Sequence, residues 1–80
     1  MYTVYILRSE KHGRNYYGHT NDLSSRLKKH NTGKVRSTKA YRPWKVIHTE
    51  QYKTKSEAYK REMFFKSIEG YKFLKKEGLV

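Results

Sequence analysis

Eighty residues with 19 lysines and arginines against 7 aspartates and glutamates, no cysteine and a pI of about 10.0 leave room for one core; a chain of this size buries only about 60% of its unfolded-state surface. The composition excludes a disulfide framework and a thiolate zinc site, and no apolar run approaches the roughly 18 residues of a membrane-spanning helix. The net charge of +12 attracts polyanions, and with eight tyrosines scattered instead of gathered on one amphipathic helix, nucleic acid is the expected partner, no membrane is, and the cytoplasm is the expected compartment.

Tyr2 to Leu7 is β-branched, aromatic or apolar throughout and predicts a strand covered on both faces. The polar segment Ser9 to Arg14 with Gly13 predicts a hairpin loop, and Asn15 to Gly18 a second strand ended by the glycine. Thr20, Asn21 and Asp22 suit a helix N-terminus, so a helix is expected from Asp22 to His30, stopped by Asn31 and Gly33. On it Leu23 and Leu27 form one i, i+4 pair, and Arg26 and His30 a second on an adjoining strip.

Thr32 to Pro43 is polar, cationic and aperiodic, a surface loop suited to contacting phosphates. Trp44 to Tyr52 predicts a third strand with Trp44, Val46 and His48 on one face and Lys45, Ile47 and Thr49 on the other. Thr54 to Glu57 matches a capping box, opening a helix to about Ile68 with Ala58, Phe64, Phe65 and Ile68 on one side and Glu62 at its margin. Gly70 reads as a break, followed by a short helix from Tyr71 to Lys76 that buries Phe73 and Leu74. The expected order is ββαβαα.

Two readings of the segment Asn15 to Asn31 compete. If Tyr16, Arg26 and His30 converge, they form a phosphate-handling site: Arg26 and His30, one turn apart, would stand beside the same phosphate, with Arg26 stabilising developing charge and His30 bonding an oxygen or moving a proton. If they do not, a basic amphipathic helix follows an aromatic strand. Tyr5 and Tyr16 likewise suit cross-strand packing, and a tyrosine acts as a base only where a cation depresses its pKa of about 10.

Among the acids, Asp22 and Glu57 fall in first helical turns, Glu10, Glu69 and Glu77 in loops or near the end, and Glu50 on a strand without an evident role. Glu62 is the candidate ligand for a single divalent metal, its competing reading being an i, i+4 ion pair with Lys66. The histidines lack a metal-binding spacing, and His12 and His48 read as structural or exposed.

The chain resembles the GIY-YIG nuclease domain. Thr3-Val4-Tyr5 and Tyr16-Tyr17-Gly18 stand where that family has its two triplets, followed by Arg26, His30, Asn31, Gly33, Pro43-Trp44, Glu57-Ala58, Glu62 and Lys66. The resemblance runs from Tyr2 to about Leu74 and implies one domain over residues 1–80, a compact α/β fold with a small, mainly antiparallel three-stranded sheet flanked by helices. It implies a DNA endonuclease of low sequence selectivity, structure-selective in repair or recombination. One Mg²⁺ or Mn²⁺ would be held by Glu62, and Tyr5, Tyr16, Arg26, His30 and Glu62 would be the catalytic set. Tyr5 is slightly preferred as base, with Tyr16 orienting the water or the phosphate. Lys28, Lys34, Arg36, Lys39, Arg42 and Lys66 would contact the DNA backbone. The family's first glycine is Thr3 here, and a branched aliphatic is replaced by Tyr17. Substrate choice would then rest on DNA shape, a partner protein or self-association. A non-catalytic basic nucleic-acid-binding module, or a small basic ribosome-associated protein, would share the charge without the cleavage.

Overall fold

The most apolar strand, β1 (Tyr2–Ser9), lies at the centre of the sheet in the computed structural model, which describes all 80 residues. It is paired antiparallel with β2 (Asn15–Thr20) on one side and β3 (Trp44–Tyr52) on the other, in the order β2-β1-β3. Helix α1 (Leu23–Asn31) follows β2, a short 3₁₀ turn (Lys39–Tyr41) precedes β3, and α2 (Lys55–Phe65) and α3 (Ile68–Lys76) complete the expected ββαβαα order. Alternation along β1 divides the core. Val4 and Ile6 pack with Ala58, Phe65 and Leu74 beneath α2 and α3, while Tyr5, Leu7 and Trp44 pack with Leu23 and Leu27 of α1. No helix is long and apolar enough to cross a membrane.

Several boundaries differ from the sequence expectation. Between Ile6 and Leu7 the pairing with β3 slips, so that Leu7 faces Val46 and Ile6 faces His48, leaving Ile47 as the extra residue of a bulge. His48, expected on the Trp44 face, is thereby turned to the other face, where its ring meets Phe65 at 6.1 Å. Strand β2 runs past Gly18 to Thr20. The second helix stops at Phe65, and Ser67 caps a new one by accepting from the Gly70 N–H, so Gly70 lies inside α3 and does not break it. A Cβ at Gly70 would collide with the Phe64 carbonyl, so the glycine is what lets α3 close against the end of α2. Ile68 belongs to the first turn of α3 and is 76% exposed, not part of the α2 core face.

The segment between α1 and β3 is also more ordered than a free surface loop. Thr38 is 1% exposed, its carbonyl accepts from Trp44 Nε1 at 3.0 Å, and Asn31 bonds both the N–H and the carbonyl of Trp44. Glu50 joins β3 to α2: Arg61 donates to its two oxygens at 2.7 and 3.2 Å, and His48 and Tyr52 add further bonds. Burial pushes Glu50 up, but these donors and the Arg61 charge outweigh it and bring the carboxyl down to about 2. The two departures from the family triplets are put to use. Thr3 accepts from Gln51 of β3 at 2.8 Å, and Tyr17 stacks 6.3 Å from Phe65.

Candidate functional site

The β1–β2 register sets Tyr5 opposite Gly18 and Leu7 opposite Tyr16, which puts both phenols on the α1 side of the sheet with ring centroids 6.3 Å apart. Gly18 makes room for one of them. A Cβ there would stand 2.6 Å from the Tyr5 hydroxyl, and Tyr5, 1% exposed, has nowhere to retreat. The last turn of α1 then carries His30 into the same space. It is 0% exposed, with Nε2 3.2 Å from the Tyr5 hydroxyl, Nδ1 2.8 Å from Thr38 Oγ1 and its ring 4.8 Å from that of Tyr16.

The bonds assign the tautomer. The Thr38 hydroxyl donates to the Val35 carbonyl at 3.3 Å, so its oxygen accepts from His30 Nδ1–H, and Nε2 is left to accept from the Tyr5 O–H. Burial and the Arg26 guanidinium hold His30 below the ordinary imidazole value of 6.5, consistent with this neutral ring. Burial, with Tyr16 adding to it, pushes the Tyr5 phenol up to about 12 against the opposing pull of Arg26, and the Glu62 charge adds to the rise. Arg26 therefore acts on both groups from the exposed side of α1.

Glu62 projects from α2 to His19 of the edge strand β2, on the α2 side of the sheet. It is 8% exposed, its Oε1 accepts from His19 Nδ1–H at 2.6 Å and its Oε2 from Lys66 Nζ at 2.7 Å. Burial raises its pKa, yet the bonds from Lys66 and His19 prevail and keep it below 4.5. A cleft lined by Tyr2, His19, Thr20, Asn21, Arg26 and Lys55 opens both to Arg26 and to the histidine that holds Glu62.

Of the five residues expected to form the site, Tyr5, Tyr16, Arg26 and His30 lie together on the α1 side of the sheet, whereas Glu62 is held by His19 and Lys66 at the β2 edge on the α2 side. Tyr5 and His30 are sealed behind a half-buried Tyr16, and Arg26 is exposed. Arg26 and His30 do not stand side by side at a phosphate: the expected i, i+4 strip places one outside and one inside, because Thr38 folds over the helix end and buries the imidazole. Of the expected backbone-contacting cations, Lys28 and Lys34 are exposed at α1 and just beyond it, Lys66 is occupied by Glu62, and Arg36, Lys39 and Arg42 line one concavity. Both alternatives for Glu62 and Lys66 share this geometry, since the i, i+4 pair is formed. His19 and Thr38 were not singled out by sequence. His19 has a partner 43 residues away, and its only local mark is its place after Gly18.

No three histidine, aspartate or glutamate side chains gather anywhere in the molecule, so a dedicated multi-carboxylate metal cage is absent. Glu62 is nonetheless an ionised, nearly buried carboxylate, with the Lys66 ammonium on one oxygen and the His19 ring on the other. This single carboxylate would hold a divalent ion that keeps most of its waters only after giving up the bond of Lys66 or of His19.

A tyrosine-bearing antiparallel sheet with an arginine and a histidine on the following helix and a glutamate on the next is the arrangement of a nuclease-type domain. The sequence model of the GIY-YIG catalytic domain matches residues 1–73, and the chain belongs to that family. Its relatives include a UPF0213 protein of Staphylococcus aureus strain Mu3, 40% identical over 73 residues that cover 90% of this chain and 88% of that one. A second is the UPF0213 protein RBAM_000440 of Bacillus velezensis, 48% identical over 54 residues. That match covers 66% of this chain and 54% of the relative, so the alignment spans about half of its length. The solution NMR structure of the UPF0213 protein BH0048 from Bacillus halodurans superposes with a TM-score of 0.55 at 32% identity, covering 95% of this chain and 84% of that one.

Proposed function

We propose that this domain hydrolyses phosphodiester bonds in DNA with the aid of one divalent ion, Mg²⁺ or Mn²⁺. The observation that carries the reading is the joined set of Tyr5, Tyr16, His30 and Arg26, with a cleft at the β2 edge that is lined by Arg26 and by His19, the partner of Glu62. The His30–Tyr5 bond also satisfies both buried groups, and what favours a chemical role over packing alone is the Arg26 guanidinium acting on the same pair.

In this account Arg26, the exposed member, binds the scissile phosphate and stabilises the charge that builds on it. Tyr16 orients the attacking water. Tyr5 is a poor base by itself, because burial holds its phenol near about 12. Hydrogen-bonded to His30 Nε2, however, it can pass its own proton to the imidazole as it takes one from a water admitted when Tyr16, which covers it, moves aside, so a free phenolate never forms. Thr38 fixes the tautomer that makes Nε2 the acceptor. Glu62 would hold the metal with His19 beside it, and the ion would supply charge neutralisation and polarisation of the phosphate.

The test is a screen of linear, nicked, branched and single-stranded DNA with Mg²⁺ or Mn²⁺, using Glu62→Gln as control. Cleavage of at least one form by the wild type and not by the variant is expected. Binding of every form with no metal-dependent cleavage would favour the non-catalytic binding module instead.

A further inference from the structure

Four cations converge where no carboxylate meets them. Lys11 of the β1–β2 loop and Arg36, Lys39 and Arg42 of the α1–β3 segment line one concavity, whose remaining lining residue is Ala40. The molecule's ion pairs involve only Glu50 and Glu62, so none of the four is neutralised. Like charges held in one depression repel one another, and the arrangement costs stability unless an anion joins it. The backbone is shaped for it. Gly33 stops α1 with a positive φ of 79°, and a Cβ at that residue would occupy the place of the Arg42 guanidinium, with Lys39 also packed alongside.

We propose that Lys11, Arg36, Lys39 and Arg42 form a second phosphate subsite, which grips a backbone phosphate of the bound nucleic-acid strand outside the reacting centre. The inference deepens the DNA-cleaving reading, on which its choice of ligand rests. A strand backbone suits this site better than a lipid surface does, because a membrane would need apolar groups beside the cations. The exposed large hydrophobics, Met1, Tyr59, Met63, Ile68 and Tyr71, all lie on other elements. The subsite is also tied to the site chemistry. Thr38, the residue before Lys39, holds His30 Nδ1 through its hydroxyl and Trp44 through its carbonyl, so a phosphate that draws on Lys39 pulls on the segment that orients the imidazole.

The experiment measures binding of the full chain to a fluorescein-labelled DNA duplex by anisotropy, without divalent ions, over a series of salt concentrations. Losing one phosphate contact lowers the slope of log Kd against log salt by about 0.9. Arg36→Ala/Arg42→Ala is expected to weaken binding and lower the slope by about 1. Arg36→Lys/Arg42→Lys should keep most of the slope, and Lys60→Ala/Lys72→Ala, which removes the same charge from exposed positions on α2 and α3, should leave it unchanged. An unchanged slope in the Arg36→Ala/Arg42→Ala variant, or an equal fall in the Lys60→Ala/Lys72→Ala control, overturns the subsite. So does loss of binding to phosphatidylserine vesicles with DNA binding intact. The two readings fail separately: cleavage with an unchanged slope removes the subsite alone, whereas a lowered slope in a protein that never cleaves removes the cleavage reading alone.

Discussion

His30 shows how far one side chain's role depends on what folds over it. On α1 it sits one turn from Arg26, and that spacing was readable because i, i+4 neighbours share a face. Its burial was not readable, since the residue that seals it, Thr38, lies beyond the helix in a stretch whose composition is that of a loop. Facing it are Tyr5 from β1, Tyr16 from β2 and Arg26 from its own helix. In the proposed reaction neutral His30 is the proton acceptor, and burial with Arg26 depresses its pKa below 6.5, so acid removes the acceptor only below that value. The rate of cleavage should rise with pH through this depressed pKa and then stay level through neutrality. A profile still climbing above about pH 8 would assign the controlling proton to a phenol instead.

At the scale of the elements, the strands and helices were legible from apolar periodicity and caps, and the irregularities that join them were not. The capping box at Thr54 and Glu57 formed as the pattern dictates. The bulge at Ile47 has no sequence mark, because it answers the pairing with β1, forty residues earlier in the chain. Gly70 was read through its low helix propensity, yet its purpose is the close approach of α3 to Phe64. Propensity alone says that Gly70→Ala should stabilise the helix by about 1 kcal/mol. The clash is with a backbone carbonyl that cannot step aside, so the opposite is expected: a loss of about 2 to 3 kcal/mol, seen as a fall in Tm of roughly 10 to 20 °C. A Tm at or above the wild-type value would show that the α2–α3 joint is looser than described.

Glu50, which had no evident role in the sequence, belongs to this scale too. Burial works against its charge, but Arg61, His48 and Tyr52 outweigh it and depress the folded pKa to about 2. A depressed carboxyl stabilises the fold above its unfolded value of 4.5 and loses that contribution as the pH falls from there toward about 2. With allowance for solvent screening of a partly exposed pair, the loss is about 1 to 2 kcal/mol. Urea melts of the wild type and Glu50→Gln between neutral pH and about pH 3 should therefore converge as the acid limit is approached. A constant gap between them would remove Glu50 from the acid sensitivity.

Across the whole molecule the two faces of the sheet carry different loads. The α2–α3 face holds most of the aliphatic core and the Glu50–Arg61 pair, while the α1 face holds the phenols and His30, with Glu62 bonded to His19 at the β2 edge. Family membership was legible because the triplets and the following arginine, histidine and glutamate keep their order along most of the chain. The division into an exposed arginine, a half-buried tyrosine and a sealed phenol–imidazole pair required the fold. The most direct test of the central claim is single-turnover nicking of supercoiled plasmid by the wild type, Arg26→Ala and Glu62→Gln, each checked for an unchanged thermal melt. The account predicts nicking that needs the divalent ion and falls by about 10²-fold or more in both variants. Equal nicking by all three proteins, or none by the wild type on any DNA form, would contradict it.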